Sequence, residues 1–138
     1  MKSLFLFLLF VHFAYGQVTT VSPASNALNI SNAISIQVTF ATAVSPISFD
    51  DTLAFLVQGS ASGRHSGTFS FSGGNSIITF NPANDFTGGE IVTITATNNL
   101  KDNTNATIPA FTSQFSVGAT ASSGVFTSTV VQRSAGAT

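Results

Sequence analysis

The chain has 138 residues, no cysteine, and only four Lys/Arg against five Asp/Glu, for a net charge of −1. That length holds one domain; the lack of Cys excludes a disulfide scaffold and a thiolate zinc site, and four scattered bases argue against phosphate-driven nucleic-acid binding. Charged residues make up 7% and apolar residues 43% of the chain, which favours a packed core over disorder.

Met1-Lys2-Ser3 supplies one positive charge, and Leu4 to Tyr15 is apolar except for His12. This run is shorter than the roughly 20 apolar residues that a bilayer crossing needs. Ala14 and Gly16 place small residues at the −3 and −1 positions of a signal-peptidase site. Residues 1–16 therefore read as a signal peptide cleaved between Gly16 and Gln17, leaving a secreted chain with no membrane span. Loss of Lys2 takes the net charge to −2, with three bases against five acids.

Beyond Gln17 the apolar residues recur with a period of two, the spacing that puts them on one face of a strand. Val18–Ser22 is the first segment of this kind. Ile34, Ile36, Val38 and Phe40 alternate with polar residues in the second, and Leu53–Gln58 is the third. Thr68–Phe71, Ile78–Phe80, the Val92, Ile94, Ala96 run and the Phe115, Val117 pair follow. Gly73-Gly74 marks a hairpin, because glycine adopts positive φ without strain. Ser22-Pro23, Ser45-Pro46 and Asn81-Pro82 end strands by removing an amide donor. No stretch after residue 17 has helical apolar spacing over three turns. Seven strands starting near residues 18, 34, 53, 68, 76, 90 and 111 predict an all-β, two-sheet Greek-key sandwich over residues 17–117, with a small closed barrel as the alternative that strand count leaves open.

Residues 118–138 change character. Gly118–Gly124 and Ser134–Thr138 have linker composition, and between them Val125–Val131 is a solitary β-prone run. It reads as a tail, an extra edge strand, or the first strand of a further domain, which would make the chain an N-terminal fragment.

The order of these motifs carries a family resemblance. Val21-Ser22-Pro23-Ala24-Ser25-Asn26-Ala27, Ile36–Phe40 with Val44 after it, Gly67–Phe71 followed by Ile78–Pro82, Thr93–Ala96 leading to Leu100-Lys101-Asp102, and Gln114–Val117 together resemble bacterial Ig-like domains of the S-layer-protein type. The resemblance covers residues 18–117. It departs from the family at Ala43, where a proline is usual, and at Asp102-Asn103-Thr104-Asn105, which lacks the usual glycine. It implies an Ig-like sandwich module of secreted and surface-layer proteins, usually one unit of a longer chain, and no catalytic residues.

The chemistry in the residues is sparse. His65, between glycines in Ser62-Gly63-Arg64-His65-Ser66-Gly67, reads as a solvated loop histidine; no Gly-x-Ser-x-Gly elbow and no second histidine after residue 17 supply a triad. Asp50 and Asp51 share a turn, and their carboxylates are expected to point into water. Asp85 and Asp102 are the candidate metal ligands, for calcium, if loop carbonyls complete six to eight oxygens. Asn29 and Asn105 head N-x-Ser/Thr sequons and are possible glycosylation sites. No Trp or Tyr remains after residue 16 to stack on a sugar ring, and no cofactor motif is present. Phe49, Phe86, Phe111 and Phe126 have no evident place in the core pattern.

These readings predict a secreted or cell-surface, non-enzymatic module acting as spacer, scaffold or interaction domain, its partners being other domains or cell-surface proteins. The alternatives are an accessory domain of a larger extracellular enzyme or calcium-dependent adhesin, and a small hydrolase using Asp85 and Glu90.

Overall fold

The computed structural model describes residues 17–119 of the chain. The expected leader and the tail beyond Ala119, Phe126 included, lie outside the described residues. Eight strands follow one another: β1 (Val18–Ser22), β2 (Ile36–Phe40), β3 (Phe55–Gly59), β4 (Gly63–Arg64), β5 (Gly67–Ser72), β6 (Ile77–Pro82), β7 (Ile91–Ala96) and β8 (Phe111–Ser116). A short 3-10 turn, Pro46–Ser48, lies between β2 and β3. Among the described residues no helix is long and apolar enough to cross a membrane.

The strands form two antiparallel sheets, ordered β1-β2-β6-β5 and β4-β3-β7-β8. With β4 set aside, this is the strand order of an immunoglobulin-like Greek-key sandwich, as expected. The period-two pattern supplies the core directly. Ile36, Val38 and Phe40 from β2 and Ile78 and Phe80 from β6 face Phe55, Val57, Val92, Ile94, Ala96 and Phe115 of the other sheet, all buried. Leu100 and Ile108 close one end of this core and Phe86 the other.

The two ends, or poles, have distinct inventories. At the first, Ala41 N–H donates to the carbonyl of Gln17, Val44 N–H to that of Asn75, and Ser45 N–H to that of Lys101. At the second, Phe86 N–H donates to Asn32, Gly89 N–H to Gly118, and Gly118 N–H to Ile30. The described residues therefore start at one pole, beside Gln17, and end at the other, beside Gly118. Six-residue strands separate the poles by about 20 Å.

Three details depart from the sequence reading. Gly63–Arg64 forms an eighth strand, paired with Gln58 and Gly59; two residues carry no periodic signal, so the loop reading missed it. β6 runs through Asn81 and Pro82 instead of stopping before them. Proline is tolerated there because Pro82 pairs with Gly67 and lies past the end of β2, which reaches only Ile36 opposite Phe80, so no ladder bond is asked of its missing N–H. The third is Asn105, whose φ of +66° is left-handed although the turn it occupies, Asp102-Asn103-Thr104-Asn105, contains no glycine.

The unplaced phenylalanines also find sites. Phe49 stacks edge-on against Phe69 and Phe71, with ring centroids 5.0 and 5.2 Å away, and Phe111 packs half-buried against the core. Ser113 is the discordant member, since its buried hydroxyl has no hydrogen-bond partner among the described residues. An orphaned hydroxyl costs more than the methyl group that would replace it. Ser113→Ala is expected to raise stability by about 1 kcal/mol, whereas Phe80→Ala, emptying the core, lowers it by about 3–5 kcal/mol. Urea unfolding midpoints measured side by side check both signs.

Candidate functional site

The densest polar cluster lies at the second pole, around a buried carboxylate. Glu90 precedes β7 and is only 3% exposed. Its Oε2 accepts the backbone N–H groups of Ala61 and Ser62, each at 3.0 Å, and its Oε1 accepts the N–H of Thr87 at 2.6 Å. The Ser62 hydroxyl lies 2.8 and 2.9 Å from the two oxygens. One side chain thus ties the β3–β4 turn to the loop that carries the chain from β6 to β7. Burial on its own would raise the Glu90 carboxyl, but the hydrogen bonds from Ser62, Ala61 and Thr87 outweigh it and hold the group below the ordinary glutamate range.

Gly59 makes this packing possible. A Cβ at that position would fall inside contact distance of Ser62 Oγ and of the Glu90 carboxylate, so the strand passes the carboxylate only as glycine.

His65 joins the cluster from the far side of Ser62. Its Nε2 lies 2.6 Å from Ser62 Oγ, its ring packs on Phe86 with centroids 4.4 Å apart, and its backbone N–H donates to Val57. The ring is half-buried, so the solvated-loop reading is corrected: Phe86, 21 residues away in sequence, gives the imidazole an apolar seat. The groups run acid, serine, histidine, unlike a catalytic triad, in which the histidine sits between the other two. A serine hydroxyl has one proton; given to Glu90, it leaves Oγ to accept from His65 Nε2–H. The imidazole is then a donor to the serine and takes no proton from it.

The remaining candidates are dispersed. Asp50 Oδ1 accepts from the hydroxyl and N–H of Thr52 at 2.6 and 2.8 Å; these bonds lower its pKa, the hydroxyl's most. Asp102 repeats the arrangement, its Oδ1 accepting from the Thr104 hydroxyl, the Thr104 N–H and the Ala106 N–H at 2.7–2.9 Å, with its pKa lowered chiefly by the hydroxyl. Both are Asp-x-Thr turns, a pattern legible in the sequence but not singled out there. Asp51 is exposed, and Arg64 donates to the carbonyl of Thr52 at 2.7 Å.

Asp85 precedes β7 and Asp102 follows it, so the strand's length keeps the two calcium candidates at opposite poles. Among the described residues no three His, Asp or Glu groups gather as metal ligands. Asp85 is exposed, while Glu90, five residues on, has both oxygens occupied. The sequon residues Asn29 and Asn105 are exposed, each with positive φ, at the second and first poles.

A cleft of about 270 Å³ opens where the chain crosses from β4 to β5, lined by Thr52, Phe55, Arg64, His65 and Phe69 among others. It is shallow and touches the Glu90 cluster only through His65.

A family model described as "Bacterial Ig-like domain" matches residues 15–117. No curated protein matches the chain. Among solved structures, domains 1–6 of the surface layer protein SbsC superpose with a TM-score of 0.54 at 17% identity, over 73% of this chain and 13% of that one. CopC from Methylosinus trichosporium OB3b gives 0.57 at 10% identity, over 76% and 95%. The LD transpeptidase LdtMt1, in complex with imipenem, gives 0.53 at 18%, over 75% and 40%. At such identities the likeness is one of fold. The chain spans about an eighth of the surface-layer protein it matches.

The Glu90 cluster generates a signed expectation. A carboxyl whose folded pKa is lowered stabilises fully above its unfolded pKa, about 4.3, and loses that contribution as pH falls through the folded value. Wild-type protein should therefore lose stability on acidification below about pH 4.3 more steeply than Glu90→Gln. Asp50 and Asp102 act in the same sense in both proteins, so the difference isolates Glu90. At neutral pH Glu90→Ala should cost about 3 kcal/mol, because three backbone donors lose their acceptor. Urea titrations between pH 3 and 7 measure both effects.

Proposed function

The chain belongs to the bacterial Ig-like domain family, and on that premise we propose that it is a secreted or cell-surface, non-enzymatic module serving as a spacer or scaffold. The observation that carries this reading is where the described fold is entered and left: beside Gln17 at one pole and beside Gly118 at the other. A rigid sandwich entered and left at opposite poles adds its full length between whatever it joins.

The polar chemistry supports the same reading. Glu90 and Ser62 satisfy each other and the loop amides, and His65 faces Ser62 as a donor, so this acid–serine–histidine contact holds loops together. The hydroxyl-rich outer strand faces, such as Thr68, Ser70 and Ser72 of β5, keep a sparsely charged surface wetted. Signal cleavage between Gly16 and Gln17 belongs to this proposal, as does an extracellular setting, which the surface-layer neighbour favours by analogy of fold.

A second reading, an accessory domain of an extracellular enzyme, is favoured by the LD transpeptidase, 40% of whose chain aligns with this fold. Fractionation of the source cells, with N-terminal sequencing and intact mass of the purified protein, separates the outcomes. The proposal expects the protein in the surface or medium fraction with Gln17 as its first residue. A cytoplasmic protein retaining Met1 would overturn it, and a surface form much heavier than residues 17–138 would favour the second reading.

A further inference from the structure

Every open sheet edge invites pairing with another chain, and three of the four edges here are guarded. β1 carries a register irregularity between Val18 and Thr20. β8 is flanked by residues 26–30, with Asn26 N–H donating to Gln114 and Ile30 N–H to Ser116. The outer side of β3 is partly covered by β4, only two residues long and bearing Arg64. Among the described residues β5 has none of these devices. Its sequence, Gly67-Thr68-Phe69-Ser70-Phe71-Ser72, contains no charge and no proline, and its pairing with β6 is regular throughout.

The hydrogen-bond phase of β5 follows from one contact beyond its end. Ala83 N–H donates to the Ser66 carbonyl at 2.9 Å, and these residues are opposite each other in the β5–β6 register. Antiparallel pairs alternate between bonded and non-bonded, so Thr68, Ser70 and Ser72 spend their backbone groups on β6. Gly67, Phe69 and Phe71 turn theirs outward. Beside that outward edge runs a groove of about 450 Å³, bounded by Phe49, Asp51, Thr68, Phe69 and Phe71.

The strand is also its own complement. Thr68-Phe69-Ser70-Phe71-Ser72 reads hydroxyl, phenyl, hydroxyl, phenyl, hydroxyl in either direction. We propose that β5 is a self-association strand: two copies pair it antiparallel about a two-fold axis at Ser70, merging two four-stranded sheets into one of eight. The backbone phase fits this register. Phe69 stands opposite the second copy's Phe71 as a bonded pair, and the reciprocal pair doubles it, giving four new N–H to C=O bonds. Thr68 stands opposite Ser72, and Ser70 opposite itself as a non-bonded pair. The isologous contact brings no like charges together on the strand, and it places the half-buried Phe49, Phe69 and Phe71 of both copies along one seam. This inference rests on the edge alone and is independent of the spacer reading.

Cysteine substitution tests the register, since the chain has no cysteine of its own. Ser70 and Ser72 are both exposed, so either change leaves the fold intact, which circular dichroism and melting verify. In the proposed register two Ser70 Cα atoms lie about 4.5 Å apart, within disulfide reach, whereas two Ser72 positions are offset by about 14 Å along the strands. In oxidised glutathione, Ser70→Cys should become a covalent dimer at least ten times faster than Ser72→Cys. Sedimentation of the unmodified protein should show the dimer growing with concentration, and Ser70→Lys, which sets two ammonium groups face to face, should abolish it. Equal cross-linking of the two cysteine variants, or a wild-type protein that stays monomeric at millimolar concentration, would overturn the proposal.

Discussion

A carboxylate buried at one pole of a sandwich that has only a handful of charges sets the terms for much of this structure. Glu90 cannot leave water uncompensated, and its compensation comes from three backbone amides and a hydroxyl drawn from two loops. Those loops connect different parts of the sandwich, one a hairpin within a sheet and the other the crossing between sheets. Satisfying the carboxylate therefore fixes where the crossing lands, which in turn fixes the start of β7, the central partner of β3 and β8. Gly59 and the position of His65 over Phe86 are consequences of the same arrangement.

The cluster also shows why a contact list alone is a poor guide to catalysis. Serine, histidine and glutamate within hydrogen-bond reach suggest a nucleophile and its base. Their order differs from a triad's: the hydroxyl lies between acid and imidazole, and once its one proton is given to the carboxylate its oxygen accepts from the ring. Here the three residue types tie two loops together. The Asp-x-Thr turns at Asp50 and Asp102 extend this pattern. In each the carboxylate is engaged by its own turn, so acidic residues that look available in the sequence serve local backbone geometry.

The wider likeness is consistent with this economy. A surface layer protein, CopC and an LD transpeptidase share the sandwich at 10–18% identity, and a fold so broadly shared carries no chemistry by itself. The features of the described residues that bear on function lie at the periphery: entry and exit at opposite poles, the staple at the second pole, and the β5 edge.

Much of the architecture was legible in the residues. Alternation in Ile36-Gln37-Val38-Thr39-Phe40 and in Val92-Thr93-Ile94-Thr95-Ala96 assigned strands and inward faces correctly, since a half-buried strand must alternate. Gly73-Gly74 located its hairpin for the equally local reason that the turn needs positive φ. The motif order then pointed to the family. What the sequence could not contain were relations between distant residues. Phe86 beneath His65, Glu90 bonded to Ala61 and Ser62, Asp85 and Asp102 held apart by β7, and the outward phase of Phe69 and Phe71 all depend on how the two sheets meet. Periodicity is a property of neighbours along the chain, and it determined the fold class. The site, the poles and the open edge are properties of neighbours in space, and only the packing of one sheet on the other decided them.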